Sequence, residues 1–128
     1  MLDTNIVSDM IRHPAGRIAG RIAEAGEDNL CVSIITAAKL RYGAAKSGSA
    51  RLLARVEAVL ARVPVLPLDV PAEAEYADIR ASLEVAGRLI GPNDLLIAAR
   101  ARSKYAVVVT ANAGEFRRVR ALKVENWL

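Results

Sequence analysis

The sequence contains a single cysteine, Cys31, and a single histidine, His13. One thiol cannot form an internal disulfide, and no Cys and His spacing resembles a zinc site, so a reducing cytoplasm is the expected compartment. One histidine cannot act as both acid and base; His13 directly precedes Pro14 in a predicted loop and is expected at the surface. Aromatic residues make up only 4% of the chain against 53% hydrophobic residues. The core must therefore be built from Ala, Leu, Val and Ile, which favours helices packed closely on aliphatic strands. No apolar run approaches the ~20 residues needed to cross a bilayer, and no charged leader precedes an apolar segment. A soluble, unprocessed chain with no membrane contact is expected. The absence of GxxxxGK and GxGxxG excludes Walker-type and dinucleotide-type glycine loops.

The 128 residues fit one domain large enough to fold without disulfides or structural metal. No internal repeat, low-complexity tract or linker divides it, so a single domain over 1–128 is expected. Eighteen Lys and Arg against fourteen Asp and Glu give a formal charge of +4. Arg17, Arg21, Arg41, Arg51, Arg55, Arg100 and Arg102 fall mostly on predicted helices. This permits a polyanionic partner, with solvated helix faces as the alternative.

Short apolar runs alternate with segments of helical period, the pattern of an α/β fold with parallel strands. Met1 to Asp3 predicts a clipped first strand leading into a helix with Ile6, Val7, Met10 and Ile11 on one face. Pro14 suits the first turn of a second helix, carrying Ile18 and Ile22 and ending near Gly26. Leu30 to Val32 reads as a second strand, and Ser33 as the N-cap of a helix to about Gly43. After a loop at Lys46 to Ser49, the next helix carries Leu52, Leu53, Val56, Val59 and Leu60 on one stripe. Val65 to Leu68, between Pro64 and Pro67, suits a sheet edge. From Pro71 a helix repeats Ala72, Tyr76, Ile79, Leu83 and Ala86 and closes at Gly87. The segment from Asn93 to about Ser103 is apolar on most faces and predicts a buried central helix. Ala106 to Val109 is continuous and β-branched, as a doubly covered parallel strand should be, and Val124 opens a last short strand.

Polar residues interrupt this aliphatic pattern at strand ends and helix starts, where ligand sites form in open α/β sheets. They are Asp3 with Thr4 and Asn5, Ser33 with Thr36, Asn93 with Asp94, and Thr110 with Asn112 and Glu115. Asp94 opens the most apolar helix, where a carboxylate is seldom buried unless paired or bound to a cation; a first-turn carboxylate favoured by the helix dipole is the alternative. For Asp3 the alternative is an N-cap, and for Glu115 an exposed surface residue. Oxygen ligands of this kind suit a hard cation such as Mg²⁺, which keeps several waters and needs only two or three carboxylates.

Five segments in order resemble the PIN domains of VapC toxins. They are Met1-Leu2-Asp3-Thr4-Asn5; Val32-Ser33-Ile34-Ile35-Thr36; Gly91-Pro92-Asn93-Asp94 with Ile97-Ala98-Ala99; Val109-Thr110-Ala111-Asn112 with Glu115-Phe116; and Val124-Glu125-Asn126-Trp127. The resemblance implies a PIN-like three-layer α/β fold with a central, mainly parallel sheet of about five short strands flanked by helices. It implies an Mg²⁺- or Mn²⁺-dependent endoribonuclease, often acting on tRNA by in-line attack of water on a phosphodiester. It further implies a homodimer and inhibition by a cognate VapB-type antitoxin. By matching positions, Asp3 and Asp94 are the first and third acids and metal ligands, with Glu115 as a further carboxylate beside Asn112. Thr4, Asn5, Ser33 and Thr110 match residues that orient the acids, with Thr36 and Asn93 beside them.

One position departs from the family. Where its pattern has Thr, two residues, then Glu, this chain reads Thr36-Ala37-Ala38-Lys39. At i+3 from Thr36, Lys39 is expected to face the pocket, with Gly43 one turn on allowing close approach of another element. Exchanging a −1 ligand for a +1 ammonium is severe: one unit-charge pair at 4 Å is worth ~4 kcal/mol even at an effective dielectric of ~20. The expectation is an ammonium between Asp3 and Asp94 acting as a substitute cation, and a catalytically impaired nuclease. Arg12 and Arg41 are candidates for RNA phosphates. A non-catalytic PIN-like module binding nucleic acid or a partner is the alternative, favoured by Lys39 and Asn112. A receiver-like domain with Asp3 as phosphoacceptor lacks the additional acids it would need.

Overall fold

The computed structural model describes residues 1–128. Seven helices surround a very small sheet: α1 (Thr4–Arg12), α2 (Arg17–Ala25), β1 (Val32–Ser33), α3 (Ile34–Ser47), α4 (Ala50–Arg62), β2 (Val65–Leu66), α5 (Ala72–Val85), α6 (Pro92–Ser103), β3 (Val108–Val109), α7 (Ala113–Phe116) and β4 (Val124–Glu125). β1 pairs with β2 and β3 with β4, both in parallel. The two pairs are joined by the first residues of the chain. Leu2 bridges Val109 in parallel, while its N–H donates to Cys31 O at 2.8 Å. The order across the sheet is thus β2, β1, the Leu2 segment, β3, β4.

About five strands were expected, but only four form, each of two residues, with the fifth position reduced to a single bridged residue. The apolar runs are longer than their paired portions because their ends are spent elsewhere. Ala106 accepts no ladder position, its N–H closing the end of α6 onto Ala101 O, and Leu68 is exposed beyond Pro67. β2 does lie at the sheet edge, as its flanking prolines require.

Burial on both faces explains the aliphatic composition. One core gathers Leu2, Ile6, Val7, Ile18, Val32, Val56 and Val109 beneath α1 to α4. The other gathers Met1, Ile79, Leu83, Leu95, Ile97, Val108 and Phe116 beneath α5 to α7. Adjacent Val108 and Val109 belong to opposite cores because strand side chains alternate. The result is three layers, helices over sheet over helices, with α6 buried as its sequence predicts.

Several expectations need correction. Pro14 lies in a turn ahead of α2, which starts only at Arg17 after Gly16. α3 runs on to Ser47, past Gly43, and ends at Gly48, whose left-handed φ of 66° suits glycine. Gly43 sits in open space with no neighbour for a Cβ to meet, so it admits no close-packed element. Leu53 and Ala86 are exposed, off the stripes to which their spacing assigned them. Trp127 is buried in the first core, with the Arg21 guanidinium 5.3 Å from its ring centroid. No helix is long and apolar enough to cross a membrane.

Candidate active site

The site begins at the end of the Leu2 segment. Asp3 is pinned on both sides: its own N–H donates to Val109 O at 2.8 Å, and its carboxylate caps α1 by accepting from Thr4 N at 2.8 Å. The side chain is only 3% exposed. Its second oxygen accepts from the Thr110 hydroxyl at 2.8 Å and from Asn5 Nδ2 at 3.3 Å. Burial of a carboxylate demands such partners, and here three donors also fix its direction. Asp3 is therefore the N-cap of α1, with its second oxygen held by Asn5 and Thr110.

Thr110, fully buried just past β3, carries the network onward. Its hydroxyl oxygen accepts from Asn112 N at 2.9 Å, and Asn5 Oδ1 accepts from Ala111 N at 3.0 Å. Ala111 was invisible to side-chain reasoning because it contributes a main-chain donor. Asn112 Nδ2 then reaches Glu115 at 2.7 Å and Asp94 at 3.4 Å. Sequence-distant Asp3, Asp94 and Glu115 are so connected through Thr110 and Asn112.

Asp94 differs from Asp3 in kind. It is half-buried in the first turn of α6, and its carboxyl is pushed up to about 6. Burial is the main cause, followed by hydrogen bonding with Glu115 and by the charges of Asp3 and Glu115; Lys39 pulls the other way. Crowded carboxylates raise one another in this manner.

Lys39 is exposed and makes no ion pair with Asp3 or Asp94. The ammonium expected between the two acids is not there. Its charge is felt by Asp94 from the rim instead, because a long, strongly hydrated lysine keeps its head in water. Ser33 and Thr36, both buried, serve each other: Ser33 caps α3 by accepting from Thr36 N at 3.1 Å, and its hydroxyl donates to Thr36 Oγ1 at 3.4 Å. Neither bonds to an acid. Asn93 is exposed, and Thr4 Oγ1 is buried with no partner. His13 is exposed, as expected, and Arg41 is engaged with Glu57.

The three acids do not close into a cage that would enclose an ion by itself. The donor set nevertheless fits a hard cation, since Mg²⁺ retains waters and is commonly held by one or two carboxylates. Asp94, with Asp3 or Glu115, meets that requirement, and its carboxyl is raised mainly by burial and then by the neighbouring carboxylates.

Known proteins are similar to this chain over its whole length. The sequence model of the PIN domain family matches residues 1–122. A protein of Haemophilus influenzae named ribonuclease VapC2 is 44% identical, covering 100% of this chain and 97% of its own. The tRNA(fMet)-specific endonuclease VapC of Shigella flexneri is 39% identical, covering 99% of this chain and 96% of its own. Among solved structures, VapBC2 of Rickettsia felis bound to a DNA fragment from its promoter superposes with a TM-score of 0.91 at 32% identity, covering 100% of this chain and 98% of that one. With fold and full-length sequence similarity in agreement, the chain belongs to the VapC ribonucleases of the PIN domain family.

Proposed function

We propose that this chain is an endoribonuclease toxin that hydrolyses phosphodiesters of RNA, tRNA being the favoured class, with Mg²⁺ or Mn²⁺ at Asp3, Asp94 and Glu115. The observation that carries this reading is the linked set of acids at the strand ends, one of them with its carboxyl raised to about 6. When bound, the cation supplies charge stabilisation at the phosphoryl oxygens and a more acidic water. The protein's own contributions are positional. Asp3 is held by Thr4, Asn5 and Thr110, and Asn112 Nδ2 is shared by Asp94 and Glu115.

Lys39 weakens this site. A positive charge at the rim offsets part of the negative field that would attract a divalent ion, and activity is impaired accordingly. Its exposure makes the penalty smaller than that of an ammonium buried between the acids. RNA cleavage with Mg²⁺ before and after Lys39→Glu tests the reading. The expected result is at least tenfold faster cleavage by the variant, lost again when Asp94→Asn is added; equal rates would defeat it.

The VapBC assemblies among similar structures support a cognate antitoxin as partner in the cytoplasm. A groove of about 340 Å³ between α1, α2 and α4, lined by Met10, Ile11, Ile22 and Val59, offers an apolar surface for a protein, and a homodimer completes the expected assembly. The non-catalytic binding module remains as a second reading because of Lys39 and Asn112. Calorimetry separates the two: Mn²⁺ binding favours the enzyme, and none favours the module.

A further inference from the structure

Away from the acids, a cavity of about 190 Å³ lies between α5, the C-terminal half of α6 and the segment that follows α7. Arg88, Arg102, Arg118 and Arg120 line it against a single carboxylate, Asp78. Arg102 is already matched: it pairs with Asp78 at 2.6 Å and with Glu75, and is almost covered. Arg88 and Arg120 are exposed and form no ion pair. Arg118 is half-buried; its Nη1 donates to Leu89 O at 3.3 Å, while its Nε is buried with no acceptor.

Three guanidiniums without counter-charge thus share one recess, and one of them carries an unsatisfied buried donor. Guanidiniums crowded without counter-charge are unfavourable on their own, and an oxyanion relieves them. The guanidinium fork matches phosphate oxygens in pairs, and the Ser82 hydroxyl lines the same recess. Its volume is below the ~300–1,000 Å³ of sites for whole small molecules, which suits a single phosphate group.

We propose that this recess seats a backbone phosphate of RNA outside the scissile bond. The inference rests on the ribonuclease reading above and extends it. Arg118 lies three residues beyond Glu115, at most about 11 Å along the chain. Leu89, to which it is tied, leads through Gly91 into α6 and Asp94. The recess therefore lies within the span of a few nucleotides of Glu115.

The test measures binding of a fluorescein-labelled RNA stem-loop by anisotropy over a salt series, with EDTA present to prevent cleavage. The exposed pair Arg88→Ala with Arg120→Ala should bind about tenfold more weakly, with a salt slope shallower by about 0.7–0.9 per phosphate released. Lys46→Ala with Arg51→Ala removes the same charge from exposed positions outside the recess and should change affinity less than twofold. The Arg88→Lys, Arg120→Lys pair should recover the salt slope. Equal weakening by both alanine pairs, or failure of the unaltered protein to bind RNA, would overturn the recess while leaving the ribonuclease reading intact; that reading falls separately if the unaltered protein and Lys39→Glu both fail to cleave RNA with Mg²⁺. If inorganic phosphate shifts the Arg118 Nε–H resonance and RNA does not, the recess serves free phosphate and the RNA assignment fails.

Discussion

The two ends of the acidic site are built on opposite principles. At the Asp3 end a buried carboxylate is met by three donors from Thr4, Asn5 and Thr110, and the group doubles as the cap of α1. At the Asp94 end a half-buried carboxylate shares one amide, Asn112, with Glu115, and holds its proton up to about pH 6. The first end is satisfied by the fold itself. The second is left with excess negative field that a cation would relieve, and Lys39 reduces that field from outside.

Removing the satisfied end should do the most damage. Asp3→Ala loses an N-cap and orphans the Thr110 hydroxyl, so a loss of about 2–3 kcal/mol is expected in urea denaturation. Asp94→Ala should cost no stability in metal-free protein, although both variants abolish cleavage. Comparable destabilisation by the two would erase the contrast. Next in size, Thr110→Val removes the donor to Asp3 and the acceptor for Asn112 N, costing about 1–2 kcal/mol.

The pH dependence sharpens the other end. A carboxyl raised from 3.8 to about 6 binds its proton more tightly in the folded chain than in the unfolded one. Its ionisation therefore destabilises the fold, fully above pH 6 and not at all below the unfolded value. Metal-free Asp94→Asn should be more stable than the parent at pH 7.5, by on the order of 1 kcal/mol after solvent screening, and the gap should close by pH 4. A gap that persists at pH 4 would assign it to packing. Smallest is Asn112→Ala: within about 0.5 kcal/mol in stability because the side chain is exposed, yet with several-fold slower cleavage as Asp94 and Glu115 lose their shared donor.

What the sequence disclosed and what it hid follow the same division. Asp3, Asp94 and Thr110 were legible because a polar residue at the end of an apolar run has few reasons to be there. The buried α6 was legible from a segment apolar on most faces and the α/β class from the alternation of apolar runs with helical period, whereas the three-layer order came from the family resemblance. Strand lengths were not, since an apolar run marks burial, and burial here extends beyond the paired residues. Lys39 was misplaced because i+3 spacing fixes a shared helix face but not the depth of a flexible ammonium: Thr36 is buried and Lys39 exposed on the same helix. The arginine recess was hidden because its members come from three separate segments.

Lys39 opposes a cation at the Asp94 end. Mn²⁺ titration by calorimetry, on the parent chain and on Lys39→Glu at pH 7.5, addresses it directly. At least tenfold tighter binding by the variant is predicted; the same affinity in both would contradict the claim.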